Sequence, residues 1–144
     1  MNTTTQILPG VKAIGWVRCA DLIPDIALRG IAGMSVPVLA EIVPVHFFNS
    51  PSCKCVTEKD NGNRTDSASL SFISDDLLPT DRELAFVVSA VNGEHFLIGA
   101  REAPFPVVKR TRSTGDSSSD PAGTLYEVTH KAIKSLVKCH ITSY

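Results

Sequence analysis

The segment Leu84–Gly99, LAFVVSAVNGEHFLIG, constrains this chain more than any other. Two apolar, β-forming runs flank Asn92-Gly93. Asn-Gly between β-formers is the strongest short-range hairpin signal, because both central residues of a type I′ turn need φ > 0. The first arm, Leu84–Val88, is nearly continuously apolar and predicts a strand buried on both faces. Glu94–Gly99 forms the returning arm. The segment sets a class, a scaffold built from hairpins, and names no chemistry.

The remaining elements fit that class. Residues 1–10 are polar, end in Pro9-Gly10 and read as an N-terminal arm. Val11–Cys19 reads as a strand, with Ile14, Trp16 and Val17 supplying β-forming bulk. Pro24 to Leu28 predicts a short helical turn that Gly30 and Gly33 would stop. Ser35–Phe48 reads as a longer strand in which Pro37 and Pro44 deny ladder donors, as at an edge or a bulge. Asn49–Arg64 reads as a polar connection with room for a small hairpin around Cys55–Thr57 and a turn at Asn61-Gly62. Ala68, Leu70 and Phe72 alternate with Ser67, Ser69 and Ser71, the period of a half-buried strand. Phe105–Thr111, Thr124–His130 and Ala132–His140 add strands, with a helix over 128–139 as the alternative for the last. Arg112–Gly123 is polar and low in complexity, and predicts a mobile loop. The expected fold is all-β and mainly antiparallel, a single domain over residues 1–144. It is a sandwich or small barrel of about seven or eight strands, with long loops and room for one short helix.

Composition narrows the functions. The formal net charge is −1 with 20% charged residues, which argues against a dedicated nucleic-acid binder. The N-terminus shows no basic region leading into a long apolar stretch, so no signal peptide is expected. Ile31–Phe48, the longest mostly apolar span, is interrupted by Gly33, Pro37, Glu41, Pro44 and His46, so no membrane association is expected. Four cysteines in 144 residues are too few for a disulfide scaffold, and reduced thiols in a cytoplasm are expected.

Catalytic and metal motifs are weak. Cys53-Lys54-Cys55 offers two thiolates for a soft metal, but a structural zinc site needs four ligands and the C-x₂-C pairs are missing. The pair reads as loop thiols without a ligand. His46, His95, His130 and His140 show neither HExxH nor HxH spacing. Asp75-Asp76 and Asp81-Arg82-Glu83 lie in polar connections, where solvated carboxylates do not separate their pKa values. Gly30-Ile31-Ala32-Gly33 lacks the Lys-Ser/Thr of a phosphate loop. Lys109-Arg110-Thr111-Arg112 is a small basic run. With the acidic residues of the adjoining loop it supplies candidate interaction residues Lys109, Arg110, Arg112, Asp116 and Asp120. No cofactor and no catalytic residue are expected.

The run AFVVSAVNGEHFLIGAREAPFPVV resembles small β-rich tail or head–tail structural proteins of Bacteroidetes phages and prophages. The resemblance covers residues 84–108 and rests on Phe86, Val87, Val88, Asn92, Gly93, Ile98, Gly99, Pro104 and Pro106. It implies a non-enzymatic virion subunit that is assembled in the bacterial cytoplasm as a homo-oligomeric ring and contacts other virion proteins. The arm and the loop would lap onto neighbours. Two other expectations stand beside it. One is a small β-barrel binding module for a ligand or peptide, with an enclosed apolar pocket. The other is a thiol or metal protein using Cys53 and Cys55.

Overall fold

The computed structural model describes residues 2–7, 10–38, 41–60, 63–75, 78–79, 82–101, 105–113, 123–132 and 134–141. In chain order its elements are β1 (Asn2–Ile7), β2 (Val11–Arg18), a 3-10 turn (Cys19–Asp21), α1 (Ile26–Ile31), β3 (Val36–Val38), β4 (Val43–Val45), β5 (Phe48–Asp60), β6 (Asn63–Ser74), β7 (Leu84–Ala90), β8 (His95–Ile98), β9 (Val107–Ser113), β10 (Gly123–Ala132) and β11 (Val137–Ile141). They form two sheets. One is five-stranded, in the order β1-β5-β6-β10-β9, and the other six-stranded, in the order β3-β11-β8-β7-β2-β4. Every pairing is antiparallel except β3 with β11.

Alternation decides which side chains face inward. In β6, Ala68, Leu70 and Phe72 are buried while the serines between them are half-exposed. Across the ladder, Tyr126 pairs with Phe72 and Val128 with Leu70, and both join the same core. The facing sheet contributes Ile14, Phe86, Val88, Phe96 and Ile98. Phe72 stacks on Tyr126 at 5.3 Å and tilts against Phe86 at 6.3 Å. These separations suit aromatic pairs, worth about 0.5–1.5 kcal/mol beyond the area they bury.

A second core lies on the opposite face of the six-stranded sheet, where Ala85, Val87, Leu97 and Val137 pack with Leu22, Ile26, Val36 and Val38. Strand β7 therefore divides its side chains. Leu84, Phe86, Val88 and Ala90 enter the core between the sheets, and Ala85 and Val87 enter the outer one. That division accounts for its unbroken apolar run and bears out the two-faced burial expected of it.

The all-β sandwich expected from the sequence is the observed fold, but the sheets do not close into a barrel. The strands among the described residues number eleven rather than seven or eight, because polar segments also pair. Residues 2–7 are not a free arm but an edge strand registered against Lys54–Lys59. Asn49–Arg64 is not a connection: β5 and β6 make the longest hairpin of the fold, with Cys53, Cys55 and their neighbours in register. The expected strand over 35–48 is two three-residue strands at opposite edges of one sheet, each with a central proline. The last segment is a strand, β11, and not a helix.

The Asn-Gly turn is also of another type. Ala90 N–H bonds to Glu94 O and Gly93 N–H to Ala90 O. Gly93 has φ +91° and Asn92 is not in the positive-φ region. This is a three-residue loop, a type I turn closed by a left-handed glycine. Asn92 supplies its Oδ1 to the Glu94 N–H at 3.1 Å.

Candidate functional site

Strand ends of the six-stranded sheet gather three segments at one end of the sandwich. Arg18, at the end of β2, is in register with Leu84 at the start of β7. The Cys19 N–H donates to Glu83 O at 3.0 Å, and the Cys19 sulfur is hydrogen-bonded to the Ala100 backbone. Gly99, at φ +140°, presses against Ala85 and Pro106. Residues 18–20, 82–84, 99–101 and 105–106 are thereby held side by side.

Three adjoining depressions open there, of about 490, 430 and 420 Å³. All three share Arg82. Arg18 lines the first two, Arg101 the middle one and Arg110 the last. Trp16 and Val43 form apolar wall in the first, and Phe105 in the other two. The carboxylates of Asp21, Glu41 and Glu83 are interspersed. Arg18 Nε holds Asp21 Oδ2 at 2.8 Å. Arg110 donates to Pro79 O at 2.9 Å and lies 5.8 Å from the centre of the Tyr126 ring. The Tyr126 hydroxyl in turn accepts the Leu78 N–H at 3.3 Å. Guanidinium groups so placed present planar donor forks, the geometry that binds carboxylates in pairs of hydrogen bonds.

Cys19 forms part of the middle depression, yet it is only 1% exposed, and burial raises its thiol to about 11. It stays protonated near neutral pH and is no nucleophile. The same holds for Cys53 and Cys139, each raised to about 12 by burial, and Cys55 is raised from the same cause. Cys53 and Cys55 are strand residues that face the core between the sheets, not loop thiols. Among the described residues no group of three His, Cys, Asp or Glu side chains could hold a metal ion.

Of the predicted interaction residues, Lys109 and Arg110 are exposed on β9, and of these two Arg110 reaches the depressions. Arg112 belongs to β9, with its side chain outside the described residues, as are Asp116 and Asp120. The histidines are scattered. His46 meets Asp75 at 3.1 Å, His95 meets Ser89 at 2.7 Å and His140 meets Ser35 at 2.9 Å. Asp81 and Asp76 lie outside the described residues.

Sequence reasoning missed a buried polar group at the inner wall of the five-stranded sheet. Asp66 accepts the Ser135 N–H at 3.4 Å, and the Cys55 sulfur lies 3.7 Å from Ser135 Oγ. Asp66, His130 and Ser135 are each exposed by 1% or less. The interaction between Asp66 and Ser135 ties the β10–β11 connection to the sheet. The only sequence signal was polarity at inward positions of otherwise apolar alternation.

No helix among the described residues is long and apolar enough to cross a membrane. In comparisons with known proteins, the chain matches no family model, no curated protein and no solved structure.

Proposed function

We propose that the protein is a non-enzymatic structural subunit that works by packing against other chains, with a second copy docking along β1. The observation that carries this reading is an asymmetry among the four sheet edges. Exposed edges invite strand addition, and proteins blunt them with short strands, prolines and charges. Both edges of the six-stranded sheet, β3 and β4, are three-residue Val-Pro-Val strands. Edge β9 carries Lys109, Arg110 and Arg112. Edge β1, NTTTQI, has six residues with neither charge nor proline. Among the described residues, its outer side has no neighbouring strand.

A second copy offering its own β1 would merge two five-stranded sheets across a two-fold axis. Rings would then grow through a further, heterologous contact. The likeness of residues 84–108 to Bacteroidetes phage tail and head–tail proteins supports a virion subunit, with other virion proteins as partners.

Sedimentation velocity over a concentration series tests the reading. The wild type should self-associate. Thr5→Lys, at an exposed position of β1, should weaken association at least about tenfold, or about 1.4 kcal/mol. A wild type that stays monomeric at high concentration refutes it, and so does a Thr5→Lys variant that assembles as well as the wild type.

A further inference from the structure

The loop that closes the β7–β8 hairpin places a nucleophile beside an electrophile. Asn92 and Gly93 are exposed at its tip. Gly93 has no side chain to shield its backbone nitrogen, and a Cβ built there would meet nothing within 4 Å. Attack of that nitrogen on the Asn92 side-chain carbon Cγ closes a five-membered ring. Two hydrogen bonds act on the pair in opposite senses. The Glu94 N–H donates to Asn92 Oδ1 at 3.1 Å, which draws electron density from Cγ and favours attack there. The Gly93 N–H donates to Ala90 O at 3.0 Å. The nitrogen becomes a nucleophile only on losing that proton, and the bond to Ala90 keeps the proton in place.

We propose that Asn92-Gly93 is a self-modification site, where asparagine converts to aspartate or isoaspartate, and that the native loop restrains it through the hydrogen bond from Gly93 to Ala90. Base in solution removes the Gly93 amide proton. The nitrogen forms a bond to Cγ, the Cγ–Nδ2 bond breaks, and the side-chain nitrogen leaves as ammonia with a proton from water. The cyclic imide then takes up one water. Opening at Cγ gives aspartate, and opening at the main-chain carbonyl gives isoaspartate. No oxidation or reduction takes place, and the chain gains one negative charge at the hairpin tip. Aspartate keeps an oxygen acceptor for the Glu94 N–H. Isoaspartate adds a carbon to the backbone between Ala90 and Glu94, the pair that closes the loop. Opening of the loop sets the rate, because it frees the Gly93 N–H from Ala90.

The test incubates the full chain at mildly alkaline pH and follows the initial rate. A synthetic peptide of residues 88–97 in the same buffer is the unrestrained reference. Trypsin, cutting after Arg82 and Arg101, releases residues 83–101, in which Asn92 is the only asparagine and no glutamine occurs. Mass spectrometry of that fragment therefore assigns the exchange of amide for carboxyl to this site. Chain and peptide should both react, the chain at least about fivefold more slowly, the factor that one ordinary hydrogen bond supplies. The slowing should match the protection of the Gly93 amide against hydrogen exchange to within about threefold, because one opening event releases both. Gly93→Ala in the peptide, where folding plays no part, should slow the reaction because its methyl shields the nitrogen. The proposal is overturned by a full chain that reacts as fast as the peptide or faster, by a slowing that departs from the protection of the Gly93 amide, or by a Gly93→Ala peptide that reacts like the wild type.

Discussion

Two glycines in left-handed conformations separate backbone strain from steric exclusion. Gly93 sits at φ +91° in the hairpin loop, and a Cβ built there meets nothing within 4 Å. Gly99 sits at φ +140°, and a Cβ there would lie 2.5 Å from Ala85 Cβ and 3.0 Å from Ala85 Cα. Gly93→Ala should therefore cost strain alone, about 1–2 kcal/mol. Gly99→Ala should cost a similar strain plus about 1–3 kcal/mol for forcing atoms into a packed core. Its total is about 2–5 kcal/mol. The contact that resists is a β7 residue with 0% exposure, with little freedom to move. Urea unfolding measures both, with a shared m-value establishing that only the midpoint has moved. Ala85→Gly, combined with Gly99→Ala, closes a double-mutant cycle. It removes the nearest atom and should show a favourable coupling of at least about 1 kcal/mol. Equal losses for Gly93→Ala and Gly99→Ala, or a cycle without coupling, would refute the claim that Ala85 is what excludes a side chain at Gly99.

Other expectations concern the core and the thiols. Phe86→Ala, at a residue with 0% exposure, should cost about 3–5 kcal/mol, whereas Val91→Ala, at 62% exposure, should stay within about 0.5 kcal/mol; thermal melts of both decide it. Tyr126→Phe removes the acceptor of the buried Leu78 N–H and should cost about 1–3 kcal/mol in urea unfolding. A thiol reagent at neutral pH should label the four buried cysteines slowly in the folded chain and fully in urea. Cys53 and Cys139 stand at about 12 in the fold, above the ordinary 9.0. Between those values the unfolded chain releases thiol protons that the folded chain keeps. Stability should thus be untouched below pH 9.0 and fall as pH rises above it, by about 1.4 kcal/mol per pH unit for each thiol. Denaturant melts of Cys53→Ala and Cys139→Ala should show a shallower alkaline decline, and an unchanged one would count against the assignment.

Strands whose burial follows a clean period were legible. The β7–β8 hairpin and the serine-alternated part of β6 were found because apolar and polar residues separate there by face. Strands β1 and β5 were not, because NTTTQI and the stretch from Asn49 onward are polar in bulk, although Cys53 and Cys55 turning inward past an exposed Lys54 already carried period 2. The Asn-Gly pair marked the hairpin but not its turn type. Tertiary pairing of Ala90 with Glu94 leaves a three-residue loop, and Asn92 then serves as a side-chain acceptor rather than as a left-handed residue. The arginine end was barely legible. Arg18 lies more than sixty residues before Arg82, Arg101 and Arg110, and sheet topology brings the four to one end. The Lys109–Arg112 run exposed one of the four.

The order in which the chain is synthesised gives the edge strand a further significance. Strand β1 leaves the ribosome well before its ladder partner, which ends at Lys59, and β2 waits for a partner that ends at Ala90. Distant pairings of this kind close slowly, typically in milliseconds to seconds. During translation an uncharged strand with a free side thus travels unpaired while dozens of residues are added. Two ribosomes on one message would carry two such strands in close proximity. If copies dock along β1 as proposed, pairing with its own β5 and meeting a neighbouring nascent β1 would compete, and translation speed would bias the balance before any finished subunit exists.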